Sequence, residues 1–195
     1  MPVFYLDALA RYRADSFTSL TQLEKYISGT LADQFNSQLY SQRWDALGSA
    51  HTARLNSIAE ASKPQEDGSF GTGYLCRLLR SCVPQDSIFA IEAVTNTLFV
   101  SDNIQATLPG SWINCGGGGL GWSGGGALGI KLASEYEGKG KFVVQIVGDG
   151  TFLFSVPGSV YWISQRYKIP VLTIVLNNKG AQLFPTRALA DNWLM

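Results

Sequence analysis

Apolar positions along the chain follow two rhythms, which divide it into a smaller N-terminal part and a larger C-terminal one. The opening MPVFYL predicts a short strand within residues 1–14. DSFTSLTQLEKYISGTLADQF then places Leu20, Leu23, Ile27 and Leu31 at helical spacing, with Asp15 or Ser16 as the cap. A second, more polar helix is expected over about 37–61, where Tyr40 and Trp44 mark a packing face. SKPQEDGSFG, rich in proline, glycine and charge, is the clearest linker.

From residue 71 the texture changes. TGYLCRLLRSCV predicts a helix with Leu75, Leu78 and Leu79 inward, and SIFAIEAV a strand whose end carries Glu92. A short helix is expected around 96–106, then a brief strand in SWINC. GGGGLGWSGGGALGIKLASEY follows as a glycine-rich turn running into a helix. KFVVQIV and PVLTIVL are continuous apolar runs with many β-branched residues, as in strands buried on both faces. Between them FSVPGSVYWISQRYK predicts a helix that tolerates Pro157 in its first turn. Strands alternating with helices predict an α/β fold, three layers with a parallel sheet flanked by helices.

Composition narrows the functional classes. Lys+Arg and Asp+Glu balance at 15 each in a chain of 195 residues, so no global field favours nucleic acid or an anionic membrane. No apolar run approaches the roughly 20 residues that span a bilayer. The N-terminus carries Asp7 and two arginines where a signal peptide would be apolar, so a soluble, intracellular and cytoplasmic protein is expected, with an organelle as the other possibility. One histidine, His51, in a polar helical segment, leaves no basis for a Ser-His-Asp or His-rich zinc mechanism. Cys76, Cys82 and Cys115 form no Cys-x-x-Cys pair and read as buried small hydrophobes. No P-loop motif occurs.

The chemistry gathers at the ends of the two buried runs. One ends in Gly148-Asp149-Gly150 and the other in Asn177-Asn178-Lys179-Gly180. In an open parallel sheet, ligands bind outside the carboxyl ends of the strands. If the two strands are neighbours joined by one crossover helix, Asp149 and the Asn pair meet. Their oxygens suit a hard cation: a carboxylate from Asp149, a side-chain carbonyl from Asn178 and a main-chain carbonyl from Gly180. Gly150 and Thr151 open the next helix, where amides can meet a phosphate. Taken singly, each motif is an ordinary turn; their joint placement is far more specific.

GDGTFLFSVPGSVYWISQRYKIPVLTIVLNN resembles the GDG-to-NN motif of thiamine-diphosphate enzymes. NCGGGGLGWSGGGALGIKLA is similar to the glycine-rich segment of the acetolactate synthase and benzoylformate decarboxylase branch, and EAVTN to the strand end on the far side of the diphosphate. The likeness covers about residues 65–180. It implies a thiamine-diphosphate-binding fold that is incomplete at its C-terminus, with 1–62 as the remnant of a middle domain plus linker. Residues 63–195 would be the cofactor domain, truncated after about 180. It implies thiamine diphosphate and Mg2+ as cofactors, with Asp149, Asn178 and the Gly180 carbonyl as metal ligands. Gly148, Gly150, Thr151, Val94 and Thr95 would meet the diphosphate. The carbonyl of Gly118 would accept from the pyrimidine amino group, and Leu120 would force the bent conformation that brings this group to the reactive thiazolium carbon.

The resemblance also implies a 2-oxo acid-processing enzyme, a carboligase or a decarboxylase, that is inactive alone. A pyrimidine-binding domain or subunit would supply the activating glutamate, within a homo- or hetero-oligomer. Glu92 is no substitute, being expected on the diphosphate side. Two rival readings remain. GGGGLG contains G-x-G-x-x-G from Gly116 to Gly121, as in a nicotinamide dehydrogenase, although the next strand-end acid, Asp149, lies well past the roughly 20-residue spacing that a ribose contact needs. Alternatively the chain is a non-catalytic regulator that pairs with full-length homologues through Trp112, Trp122, Tyr161 and Trp162, although Tyr161 and Trp162 read better as core.

Overall fold

The computed structural model describes residues 3–7, 10–35 and 38–178. The chain forms two compact units, Met1–Asn56 and Ser57–Met195. In the first, the expected single strand is a hairpin, β1 (Val3–Asp7) antiparallel to β2 (Ala10–Arg13). The expected helix is split at Leu31 into α1 (Ser16–Thr30) and α2 (Ala32–Phe35). Asp15 caps α1, its carboxylate accepting from the Thr18 N–H at 2.9 Å. The apolar stripe of α1 is not buried: Leu20 is 61% and Leu23 51% exposed. α3 (Gln38–Ala61) ends this unit, and its last residues, from Ser57, open the second. Trp44, expected on a packing face, is 76% exposed.

The second unit holds the sheet. α4 (Thr72–Cys82) leads to β3 (Ile88–Glu92), and a 3-10 turn at Val94–Asn96 leads to α5 (Thr97–Ile104). β4 (Trp112–Asn114) precedes the glycine-rich turn and α6 (Trp122–Tyr136). β5 (Val143–Gly148) is followed at once by α7 (Asp149–Phe154), then α8 (Pro157–Tyr167) and β6 (Leu172–Leu176). All pairings are parallel, in the order β4-β3-β5-β6.

Alternate residues of the strands feed two cores. On one face Phe89, Ile91, Val144 and Ile146 pack with Cys76 and Leu79 of α4 and with Val100 and Ile104 of α5. On the other, Ala90 and Val143 pack with Ala127, Trp122 and Ile130 of α6. Each large side chain removed from water contributes on the order of 1.5–3 kcal/mol. This sandwich is the three-layer α/β arrangement expected. The helix expected from Phe154 to Lys168 differs: α7 starts at Asp149, and the chain breaks between α7 and α8. Pro157 lacks an N–H and its ring disfavours a helical residue before it, so it can only begin a helix. Val156 at the break is left-handed, φ +52°.

Gly121 sits where α6 begins, with φ +98°. A Cβ there would lie 2.6 Å from the carbonyl oxygen of Phe154. Gly129, within α6, has open space around it. Gly121→Ala is therefore expected to cost about 2–4 kcal/mol through strain and overpacking. Gly129→Ala should gain up to about 1 kcal/mol of helix propensity. Equilibrium unfolding in urea of the two variants beside the parent checks both signs.

Candidate functional site

The register of the sheet brings three strand ends to one edge. Glu92 of β3 is level with Val147 of β5, and Gly148 with Leu176 of β6. The segments leaving these ends border a cleft of about 150 Å³. Gly148, Asp149, Gly150 and Thr151 enter it from β5 and the first turn of α7. Val94 and Thr95 enter from β3, Asn178 from β6, and Leu120 from the glycine-rich turn. Asn178 Nδ2 donates to Thr95 Oγ1 at 3.2 Å, joining the β3 and β6 segments across the end of the strand that carries Asp149. That bond uses the nitrogen of the amide, so the oxygen, the atom a cation would take, is its other end. No Cβ contact lies within 4 Å of Gly150, which leaves its backbone open to a close-approaching ligand.

Gly118 lies in an adjoining cleft of about 120 Å³, beyond the end of β3 and β4. Ala93, Val94 and Leu120 border both clefts and form the wall between them. Val94 is held at φ +34°, a strained conformation for a β-branched residue. Gly180 lies outside the described residues. A roomier cleft of about 370 Å³, bordered by Ser57, Thr72, Phe99 and Asp102, lies among α3, α4 and α5. It gathers none of the strand-end acids and amides, so ligating chemistry, rather than volume, selects the smaller cleft. Among the described residues, no three His, Cys, Asp or Glu side chains come together to cage a metal.

Glu92 has a role that the sequence did not reveal. It is buried, 7% exposed. Its carboxylate accepts from the amides of Gly121 at 2.9 Å, Trp122 at 3.2 Å and Ser123 at 2.7 Å. The N-cap of α6 is a glycine with no side-chain bond of its own, so an acid from β3 does the capping. The polar chain continues: Gln145 Nε2 donates to Ser123 Oγ at 2.9 Å, and Thr173 Oγ1 donates to Gln145 Oε1 at 3.0 Å. The available signal was a glycine-started helix with no Ser, Thr, Asp or Asn to cap it, following a buried strand that ends in an acid. This geometry weakens the dinucleotide reading, because the amides that G-x-G-x-x-G would offer to a pyrophosphate are already occupied by Glu92.

Other expected features separate as well. Tyr161 and Trp162, read as core, are 41% and 60% exposed, and no residue of α8 is buried. Trp112 and Trp122 instead pack, half-buried, against the two cores. Cys76 is buried, and burial pushes its thiol up to about 11, whereas Cys82 is exposed. His51 is exposed on α3. Among the described residues no helix is long and apolar enough to cross a membrane.

Comparison with known proteins finds a family likeness. Residues 93–186 match the family described as thiamine pyrophosphate enzyme, C-terminal TPP binding domain. A benzoylformate decarboxylase of Pseudomonas aeruginosa is 25% identical over 114 residues, 58% of this chain and 20% of that protein. A solved structure from Mycobacterium smegmatis, described as thiamin diphosphate-dependent, aligns with a TM-score of 0.53 at 28% identity over 59% of this chain and 22% of that one. The thiamine diphosphate-dependent 4-hydroxybenzoylformate decarboxylase of Rhodococcus jostii RHA1 aligns with a TM-score of 0.51 at 29% identity, over 56% of this chain and 20% of that one. The matched part thus spans about a fifth of the length of each relative.

Removing the cap should be expensive. Glu92→Ala leaves three amides at the start of α6 without their acceptor, and is expected to cost about 2–4 kcal/mol. Glu60→Ala, which breaks only the exposed Lys63–Glu60 pair, should stay within about 0.5 kcal/mol. Guanidinium unfolding monitored by circular dichroism reads the difference.

Proposed function

We propose that the cleft at the ends of β3, β5 and β6 holds the diphosphate of thiamine diphosphate through a magnesium ion, a reading supported by the match of residues 93–186 to the C-terminal TPP binding domain of thiamine pyrophosphate enzymes. One observation carries the reading. Asp149 and Asn178, just beyond the ends of neighbouring parallel strands that are in register, border one cleft.

The residues fit the group. Magnesium prefers oxygen ligands and keeps several positions for water or phosphate oxygens. One carboxylate and one amide oxygen hold such an ion incompletely, so that the substrate phosphates complete the shell. The absence of a three-acid cage among the described residues accords with that division of labour. In this reading Asp149 and the Asn178 oxygen hold the ion, with the carbonyl of Gly180 as a third ligand. Gly148, Gly150 and Thr151 give the diphosphate close backbone contact on one side, and Val94 and Thr95 face it from the other. Gly118 accepts a hydrogen bond from the pyrimidine amino group at its carbonyl, and Leu120 supports the bent form of the cofactor. Bound, the cofactor supplies an electron sink for a 2-oxo acid carbanion.

The activity proposed is that of a 2-oxo acid decarboxylase or an acetolactate synthase-like carboligase. The chain's own part is to bind, orient and screen from water. The glutamate that activates the pyrimidine ring would come from a pyrimidine-binding domain or a partner subunit, so the chain alone is expected to be inactive. The names of the decarboxylases from Pseudomonas and Rhodococcus support an aryl 2-oxo acid as the first substrate to try.

Calorimetric titration with thiamine diphosphate tests the reading. Binding should require Mg2+, and Asp149→Ala should weaken it more than ~100-fold, beyond the usual effect of altering a ligand's supporting residues. Absence of metal-dependent binding, even with a pyrimidine-domain partner present, overturns it.

A further inference from the structure

We propose that Glu92 is a positioning residue for the organic half of the cofactor, acting through Leu120 and Val94 rather than by contact with the metal or the diphosphate. The inference rests on the site reading above and goes beyond it, because it assigns a job to a side chain that reading leaves unused.

Three residues border both clefts, Ala93, Val94 and Leu120, and all are tied to this one acid, Ala93 as its direct neighbour in the chain. Leu120 directly precedes Gly121, whose amide is bound by Glu92 Oε1. Val94 follows Glu92 by two residues and is held at φ +34°. Leu120 is 48% and Val94 46% exposed, so packing alone fixes neither. The turn is confined from a second side, since space at Gly121 is closed by the backbone of Phe154. Glu92 therefore defines where the wall stands, with Oε1 holding two amides and Oε2 a third. Ser123, held by that third bond, is fixed again by Gln145.

The two halves of the cofactor differ in how they meet this wall. A magnesium diphosphate needs only the cleft with Asp149, Gly150 and Asn178. A ligand that also carries thiamine must pass Val94 and Leu120 to reach the cleft with Gly118. Displacing the wall should thus weaken the larger ligand far more than the smaller, which the wall meets only at Val94 and whose metal and backbone contacts lie elsewhere in its cleft. A general loss of structure would affect both.

Glutamine at position 92 keeps the shape of the acid. It replaces one acceptor oxygen by an NH2 that opposes the amides of α6. The experiment compares the full chain with Glu92→Gln, Leu120→Ala and the double variant, each titrated calorimetrically in Mg2+ with thiamine diphosphate and with inorganic diphosphate. Glu92→Gln and Leu120→Ala should each weaken thiamine diphosphate by about tenfold or more and leave inorganic diphosphate within about twofold. The double variant should lose little beyond the larger single loss, the coupling expected of residues acting through one wall. If Glu92→Gln does not fold, Glu92→Asp keeps the charge, draws it back by one methylene and carries the same comparison. Equal weakening of both ligands, no weakening of either, or additive losses overturn the positioning role. Failure of the parent chain to bind either ligand overturns the site reading itself, and with it this role.

Discussion

A carboxylate buried at the end of a strand needs donors, and Glu92 takes three from the first turn of α6. The requirement runs both ways. The first amides of a helix have no partner inside it, and α6 begins on a glycine that can offer none. One interaction thus settles the cost of burying a charge and the cost of starting a helix. It also welds β3 to α6 at the edge where the ligand cleft opens. The Ser123–Gln145–Thr173 chain extends that weld across β5 to β6 inside an otherwise apolar layer. A fully satisfied polar chain of this kind specifies register, since a shift of one residue would turn Gln145 away from Ser123 and into the other core.

Register in turn makes the candidate site. Asp149 and Asn178 are far apart in the chain, and only the alignment of Gly148 with Leu176 sets their loops side by side. Thr95 completes the clasp from the other neighbour of β5. Such a site needs no cluster of acids. A single carboxylate beside neutral oxygens leaves room for the negative charge of a diphosphate, whereas three carboxylates would repel it.

The central features of the second unit were legible in the sequence because they rest on local physics. Apolar β-branched runs favour strands, and both runs are strands of one parallel sheet; VVQIV is buried as expected, whereas VLTIVL is the edge strand β6, in which only Leu176 is buried, yet their polar ends still share one end of the sheet. GDG and NN could then be placed together before any coordinates, and among the described residues every expected site residue except Gly118 borders one cleft. What escaped was tertiary. The cap on α6 comes from a residue 29 positions away, which no local pattern reports. The break at Val156 follows from Pro157, yet the short α7 before it has too few residues to show a period. The helical stripe of α1 was correctly periodic, but periodicity says only that a face is apolar, not that this chain covers it: Leu20 and Leu23 stand exposed. Tyr161 and Trp162 were misassigned for the same reason, since α8 packs mainly on α6 and α7 rather than on the sheet, and none of its residues is buried.

The glycine-rich turn shows how one string can serve two physical ends. G-x-G-x-x-G before a helix reads as a phosphate cradle when its amides are open. Here the same amides face Glu92, and the glycines do other work: Gly121 takes φ +98° and lets α6 approach the backbone of Phe154. Of the glycine-started helices, α6 has its first amides held by an internal acid, whereas the start of α7, at Gly148-Asp149-Gly150, faces an open cleft. A phosphate approaching this edge meets bound amides backed by a carboxylate at α6, and unhindered backbone beside Asp149 at α7. The preference for the second follows from charge alone, because a fixed negative group repels a mobile one from the seat it already holds. The distinction between a dinucleotide fold and a metal–diphosphate fold therefore lies here in the side chain that closes the glycine turn, not in the glycines.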